Sequence, residues 1–305
     1  MDSYILDKFS LQPLFMISER MGVKVYACIQ NGKKVAVKIY SHRKPYMQET
    51  DCLVRLYKAG AAVPKILNMG RIRSDFVIIQ EWCDGEPLLS KFKQSDIQMK
   101  SKLIYSVGEL LASFQFALED KEFGNSIFWH RDDYKDINSY SWKEYIYSQV
   151  RKWRQRIKLS CEDESLGLLE RLNLLEGRLK LIQEPEKLSI IHADYTMRNI
   201  QYNAREDKLI ALDFEGALIG DPLYDLARIT WVDIAEDLDL QWEFYKGWED
   251  RSGYKINLEI LQLYKAIITM SSVAWVDNLP EKTESNKRFR QLALETFIKV
   301  SDSFL

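Results

Sequence analysis

His192-Ala193-Asp194-Tyr195-Thr196-Met197-Arg198-Asn199, followed by Ile210-Ala211-Leu212-Asp213-Phe214-Glu215, is the stretch on which the reading of this 305-residue chain turns. β-prone runs surround both pieces: Leu188 to Ile191 and Ile200 to Asn203 flank the first, and Lys208 to Phe214 carries the second. The polar stretch Asn203 to Asp207 predicts a turn between the last two runs. In the resulting hairpin the start of one strand lies beside the end of the other. That brings Asn199 next to Asp213 at the open end, with Asp194 on the preceding loop facing the same point. Two carboxylates and an amide suit a hard cation, because Mg2+ takes oxygen ligands and shares them with substrate phosphates. Singly, Asp194 and Asn199 would read as turn caps and Asp213 as a strand end. The combined spacing points to a site.

Towards the N-terminus the pattern is strand-rich. Met16 to Ser18, Val23 to Ile29 and Lys33 to Tyr40 read as strands, the last two joined by the hairpin signal Asn31-Gly32. Alternation puts Val35, Val37 and Ile39 on one face of the third strand and Lys38 on the other. A helix is predicted from about Tyr46 to Lys58, stopping before Gly60, with Cys52, Leu53, Leu56 and Tyr57 as its apolar face. Glu49, three and four residues before Cys52 and Leu53, shares that face. A lysine inside a strand and a glutamate on an apolar helix face are each costly unless paired, so the pattern predicts a Lys38–Glu49 ion pair. Strands at 65–69 and 76–82 follow, and Asp84-Gly85 makes a turn.

Beyond Gly85 helices take over: Leu103, Ile104, Val107, Leu110, Leu111 and Phe114 recur at helical spacing. Ser141 to Ile157, Ser165 to Ile182 and the stretch from Leu240 onward repeat that pattern. The fold class is α+β and bilobed: a small β-rich lobe with one helix (residues 1–84) and a larger, mainly helical lobe (85–305).

Composition removes other classes. The chain is 46% hydrophobic and 29% charged, enough for a large core, and 43 Lys+Arg against 45 Asp+Glu leave a net charge of −2. No basic footprint for nucleic acid is present. The best apolar run, Ala266 to Val276, is short of the ~18 residues a membrane span needs. No basic segment precedes an apolar run at Met1-Asp2-Ser3, so no secretory signal is expected. Cys28, Cys52, Cys83 and Cys161 lack CxxC spacing and only His42, His130 and His192 could join them on zinc. Reduced thiols in a cytoplasmic protein are the expectation. Neither GxGxxG nor GxxxxGK[ST] occurs, so neither a Rossmann nor a Walker-type site is indicated.

The series His192-Ala193-Asp194-(four residues)-Asn199, Leu212-Asp213-Phe214-Glu215 and Gly220-Asp221-Pro222-Leu-Tyr-Asp225-Leu226-Ala227 resembles the aminoglycoside phosphotransferase and choline kinase family, a branch of the protein-kinase-like fold. The resemblance extends to Lys38, to Glu49 before Leu53, to Val63-Pro64-Lys65-Ile66-Leu67 and to Glu81-Trp-Cys83-Asp84-Gly85, about the first three-quarters of the chain. It implies that Asp194 orients the substrate hydroxyl and accepts its proton, and that Asn199 and Asp213 bind Mg2+. It further implies that Lys38, held by Glu49, contacts the ATP phosphates, and that the Glu81 carbonyl and Cys83 amide pair with adenine. His192, Asp221 and Asp225 would support the catalytic loop, and Glu215 would be a further supporting residue. Two departures stand out. The phosphate-covering loop Ser18-Glu-Arg-Met-Gly22-Val has one glycine, which leaves GTP beside ATP as the nucleotide. Thr196 stands where serine/threonine protein kinases usually carry lysine.

Only seven residues separate Asp213 from Asp221, too few for the activation segment that holds a peptide. A small hydroxylated substrate is therefore expected ahead of an atypical protein kinase, and a pseudokinase that binds nucleotide without turnover ranks third. After Asp225 come Asp233, Glu236, Asp237, Asp239, Glu243, Glu249 and Asp250, interleaved with Trp231, Trp242, Tyr245 and Trp248. An acidic aromatic pocket would suit an aminoglycoside-like or other cationic acceptor. Solvated acids over core aromatics are the commoner meaning of such a pattern, and the expectation for most of them. The basic, aromatic run Tyr140 to Lys158 is likewise expected to be an amphipathic helix with a wet basic face, not a nucleic-acid or membrane surface.

Overall fold

Asn31 and Gly32 both take positive φ (50° and 74°), the turn that matches the twist of two antiparallel strands. They join β2 (Val23–Gln30) to β3 (Lys33–Tyr40). With β1 (Leu11–Arg20), β4 (Ile66–Ile72) and β5 (Asp75–Glu81) these form an antiparallel sheet in the order β1-β2-β3-β5-β4. The computed structural model describes residues 2–20, 22–118, 141–159, 167–235 and 237–304. Strand alternation divides the sheet as expected. Val35, Val37 and Ile39 pack with Val77, Ile79 and the helix α1 (Ser3–Phe9), while Lys38 shares the opposite face with its register partners Val25 and Ile78.

The helix α2 (Arg43–Lys58) crosses that second face. It begins three residues earlier than Tyr46, because Pro45 lies in the first turn, where a helix needs no N–H from it. Cys52, Leu53 and Leu56 do not close a private core: they join the large cluster of the helical part.

After β5 the chain runs through β6 (Glu86–Pro87), α3 (Leu88–Gln94), α4 (Ile97–Gln115), α5 (Trp142–Arg154) and α6 (Leu168–Arg178). Next come β7 (Ser189–Ile191), β8 (Ile200–Asn203), β9 (Lys208–Ala211) and β10 (Leu218–Gly220). The chain ends in α7 (Leu223–Val232), α8 (Leu238–Ser252), α9 (Leu258–Asp277) and α10 (Glu284–Asp302). Two small sheets, β6-β8-β9 and β7-β10, carry the loops of interest.

On α5, Trp142, Ile146 and Val150 are buried while Arg151 and Lys152 face outward, the amphipathic helix expected of this run. Ser141 caps it; Tyr140 lies outside the described residues, as do Ser165, the expected start of α6, and Cys161, His130 and Glu236. Cys28, Cys52 and Cys83 are free thiols. Among the described residues no helix is long and apolar enough to cross a membrane; the apolar run of α9 is core. The helix α7 and the short β10 were not anticipated: their residues sit within a motif read for its side chains, and Pro222 hid a helix start.

Candidate active site

The hairpin β8–β9 forms, with Ile200 opposite Ala211 and Tyr202 opposite Leu209. Its regular ladder stops sooner than the apolar run suggested. Leu212 N–H still donates to the Asn199 carbonyl (2.8 Å), and Asp213 then turns into the left-handed region (φ 69°), starting a 3-10 turn over Phe214–Gly216. Asp213 is thus one residue beyond Asn199's cross-strand position and swings out of the sheet. Ala193 takes the same conformation (φ 68°). Of these two non-glycine residues in the left-handed region, one precedes a motif carboxylate and the other carries one.

Asp225 holds the first loop. Its carboxylate, buried at the start of α7, accepts from the backbone N–H of His192 (2.7 Å) and Ala193 (2.9 Å). Gln115 Nε2 adds a long third bond (3.4 Å), and the Gln115 oxygen accepts from Trp248 Nε1 (2.8 Å), which fixes the orientation of that amide. Burial pushes the Asp225 carboxyl up to about 6, against the donors that favour its anion. His192, fully buried, sets its Nε2 2.8 Å from the Leu212 carbonyl and so ties the Asp194 loop to the strand end before Asp213. Asp221 acts elsewhere: it accepts from Leu223 N–H (3.0 Å) and the Tyr264 hydroxyl (2.8 Å), anchoring α7 on α9. It supports the loop only through that helix.

The loop presents Asp194 with both carboxylate oxygens engaged. Arg228, one turn beyond Asp225 on α7, places Nη2 2.8 Å from Oδ1. Asn199 Nδ2 donates to Oδ2 (3.1 Å) and to the Asp194 carbonyl (2.9 Å).

On β3, Lys38 Nζ lies 2.6 Å from Glu49 Oε1 and 2.9 Å from Asp213 Oδ1. The expected strand-to-helix ion pair is present, and Asp213 joins it. Tyr40 OH donates to the second Glu49 oxygen. Burial pushes the Lys38 pKa down, but Glu49 and Asp213 hold it well above the usual value. Burial likewise pushes Asp213 up, yet Lys38 and Arg20 together keep its carboxyl well below the usual range. Arg20, at the end of β1, places Nη2 2.8 Å from Asp213 Oδ2 and 2.9 Å from Glu215 Oε1. Glu215 is pushed up by burial and by Asp213.

Glu81 ends β5 opposite Val35, and Cys83 follows it in the connector, where burial raises its thiol to about 12. Ala36 lies two residues before Lys38 on the same face, with Ala27 and Gln80 as its register partners.

Among the described residues no three His, Cys, Asp or Glu side chains converge into a complete metal cage. The donor set still fits Mg2+, which is commonly held by one or two side chains plus substrate phosphates. Asp213 is held as an anion, and among the described residues the Asn199 side chain bonds through its amide nitrogen.

The acids after Asp225 are mostly structural. Asp233 accepts from Met197 N–H (2.7 Å) and Asp237 caps α8. Glu249 holds Lys255 and the Ile256 amide, Asp250 takes the Tyr105 hydroxyl, and Trp231, Tyr245 and Trp248 are buried.

Three residues of this constellation escaped the sequence reading. Arg228 was detectable, since it lies three residues after Asp225 and one helical turn along α7. Tyr40 lies two residues after Lys38 on the same strand face. Arg20 carried no signal beyond its place in a glycine-poor loop.

A scan against family models matches residues 17–255 to the phosphotransferase enzyme family. The chain belongs to that family. Its members' fold recurs over nearly the whole length. A thermostable mutant of the aminoglycoside phosphotransferase APH(4)-Ia, solved with ADP and hygromycin B, superposes with a TM-score of 0.74 at 15% identity, covering 99% of this chain and 98% of that one. Spectinomycin phosphotransferase APH(9)-Ia, with ADP and spectinomycin, gives 0.66 at 14% identity over 99% and 96%. The ethanolamine kinase of Plasmodium vivax gives 0.69 at 15% identity over 100% and 86%. A search of the curated proteins finds no match. At these identities the phosphotransferase likeness to the solved structures is one of fold: an antiparallel five-stranded sheet with a helix, followed by a mainly helical part.

Proposed function

We propose that this phosphotransferase moves the γ-phosphoryl group of ATP, or of GTP, to a hydroxyl of a small molecule with Mg2+ as cofactor. One observation carries the reading: Lys38, held by Glu49, reaches 2.9 Å to Asp213, so the two motif halves face each other across one cleft. The lobes would be residues 1–84 and 85–305, with the nucleotide between them. The Glu81 carbonyl and Cys83 amide would pair with the base, beneath Ala36. Asn199 and Asp213 would hold Mg2+, which when bound supplies charge neutralisation at the phosphate oxygens. Asp194 orients the acceptor hydroxyl and takes its proton; Lys38 positions the phosphates; Asp225 and His192 keep the loop in place. Such a transfer needs positioning and charge stabilisation more than covalent chemistry.

The solved relatives with ADP in place support a nucleotide in this cleft, and the named antibiotics and ethanolamine support a small hydroxylated acceptor. A cationic, aminoglycoside-like acceptor stays the acceptor to test first.

The test is ADP release with ATP and Mg2+ against aminoglycosides, choline, ethanolamine and homoserine. Turnover on one acceptor that needs Mg2+ and falls at least a hundredfold in Asp194→Asn, with AMP-PNP binding retained, supports the reading. Nucleotide binding with no turnover on any acceptor would leave a pseudokinase.

A further inference from the structure

The turn that joins β1 to β2 lies where a kinase-like lobe covers the nucleotide phosphates, and a glycine-rich version does so with backbone N–H groups. This turn ends on its single glycine. Gly22 is fastened to the end of β3, its carbonyl accepting from Ser41 N–H (2.9 Å) and Ser41 Oγ (3.2 Å). What the turn contributes instead is a cation. Arg20 Nη2 stands 3.1 Å and 2.8 Å from the two Asp213 oxygens and 2.9 Å from Glu215 Oε1. With Lys38 also on Oδ1, every oxygen of Asp213 is engaged by a side-chain cation.

That contact competes with a divalent ion on Asp213. Arg20 and Lys38 already make three contacts to the two carboxylate oxygens, and a guanidinium beside Mg2+ is a like-charge contact. The side chain of Arg20 is 45% exposed, so it is packed into no core and its departure breaks little besides the ion pairs. A planar guanidinium fork matches phosphate as well as carboxylate.

Resting on the nucleotide-site reading above, we propose that Arg20 is a phosphate-binding residue that changes partner. On Asp213 and Glu215 it competes with the divalent cation; when nucleotide and metal enter together, it moves to the triphosphate oxygens. The exchange conserves charge pairing on both sides, with Mg2+ replacing the guanidinium at the carboxylates and phosphate replacing the carboxylates at Arg20. The guanidinium thereby does the work of the missing glycine amides.

The roles make opposite demands on one variant, which a merely structural residue would not do. Mn2+ alone is titrated by electron paramagnetic resonance, and AMP-PNP with Mg2+ by calorimetry, into wild type, Arg20→Ala and Arg20→Lys. Arg20→Ala is expected to bind Mn2+ at least threefold more tightly and Mg2+–AMP-PNP at least tenfold more weakly. Arg20→Lys should recover part of the nucleotide affinity. Mn2+ affinity that does not rise in Arg20→Ala, or AMP-PNP affinity that does not fall, overturns the proposal. If the wild type binds both ligands and Arg20→Ala changes neither constant, only the role of Arg20 is lost. If the wild type binds neither, the nucleotide-site reading falls with it.

Discussion

Asp225 shows how one buried side chain sets the geometry of residues it does not resemble chemically. It receives two backbone N–H groups and the Gln115 amide, all donors. Asn at that position would turn one acceptor oxygen into a donor facing donors. Leaving a buried group unsatisfied costs about 1–3 kcal/mol. Asp225→Asn is therefore expected to lose about that much stability in urea denaturation, and to lose turnover at least tenfold because the Asp194 loop is no longer held. A variant as stable and as active as wild type would show that the loop keeps its shape without the carboxylate. The sequence motif disclosed Asp225 but not its partners: Gln115 lies 110 positions away on α4, and nothing in its neighbourhood marks it.

Among the elements, those with strong periodicity were legible, and so were β7 and β8 beside the motif. β2, β3 and the apolar face of α2 follow alternation and 3.6-residue spacing. By contrast, β9 ends at Ala211 rather than at Phe214, because the left-handed turn at Asp213 serves a side chain, not the sheet. The crossing of α4 and α8 was illegible for another reason: it depends on the absence of atoms. A Cβ on Gly108 would sit 2.2 Å from the Phe244 carbonyl oxygen, and one on Gly247 would sit 2.1 Å from that of Tyr105. The helices must part to admit either. Gly247→Ala is expected to cost on the order of 3 kcal/mol, read from urea denaturation; a loss within ~0.5 kcal/mol would mean that the backbones separate freely. The helix α9 carries a different liability. Lys265 is buried there, and burial, aided by Lys299, pushes its pKa down to about 8. A folded-state pKa below the unfolded one means that the ammonium form weakens the fold; that penalty is full below about 8 and fades as pH rises towards the unfolded value. Lys265→Met should raise stability at pH 7 by up to about 3 kcal/mol, and the gain should shrink between pH 8 and 10. A gain independent of pH would assign the effect to packing instead.

At the scale of the whole molecule, the five-stranded sheet and the helical part are joined by packing. Cys52, Leu53 and Leu56 of α2 and Val63 belong to the same cluster as the cores of α4, α7 and α9. Ala211 N–H at the end of β9 donates to the Ala62 carbonyl (3.0 Å), and Gln48 Nε2 donates to the Ala217 carbonyl (3.1 Å). The connector adds a further tie: a Cβ on Gly85 (φ 124°) would lie 2.1 Å from the Tyr202 carbonyl oxygen, so the chain passes directly against β8. Losing the sheet would thus expose α2's apolar face and uncover part of the larger core. One cooperative transition is expected, with calorimetric and van't Hoff enthalpies in agreement. A ligand that spans the cleft should then stabilise the whole chain. Mg2+–AMP-PNP at a hundredfold excess over its dissociation constant contributes about 2.7 kcal/mol, and should move the single transition upward by several degrees, with EDTA cancelling most of the shift. Two resolved transitions, of which the ligand moves only one, would mean that α2 anchors to the helical part too weakly to couple it to the sheet.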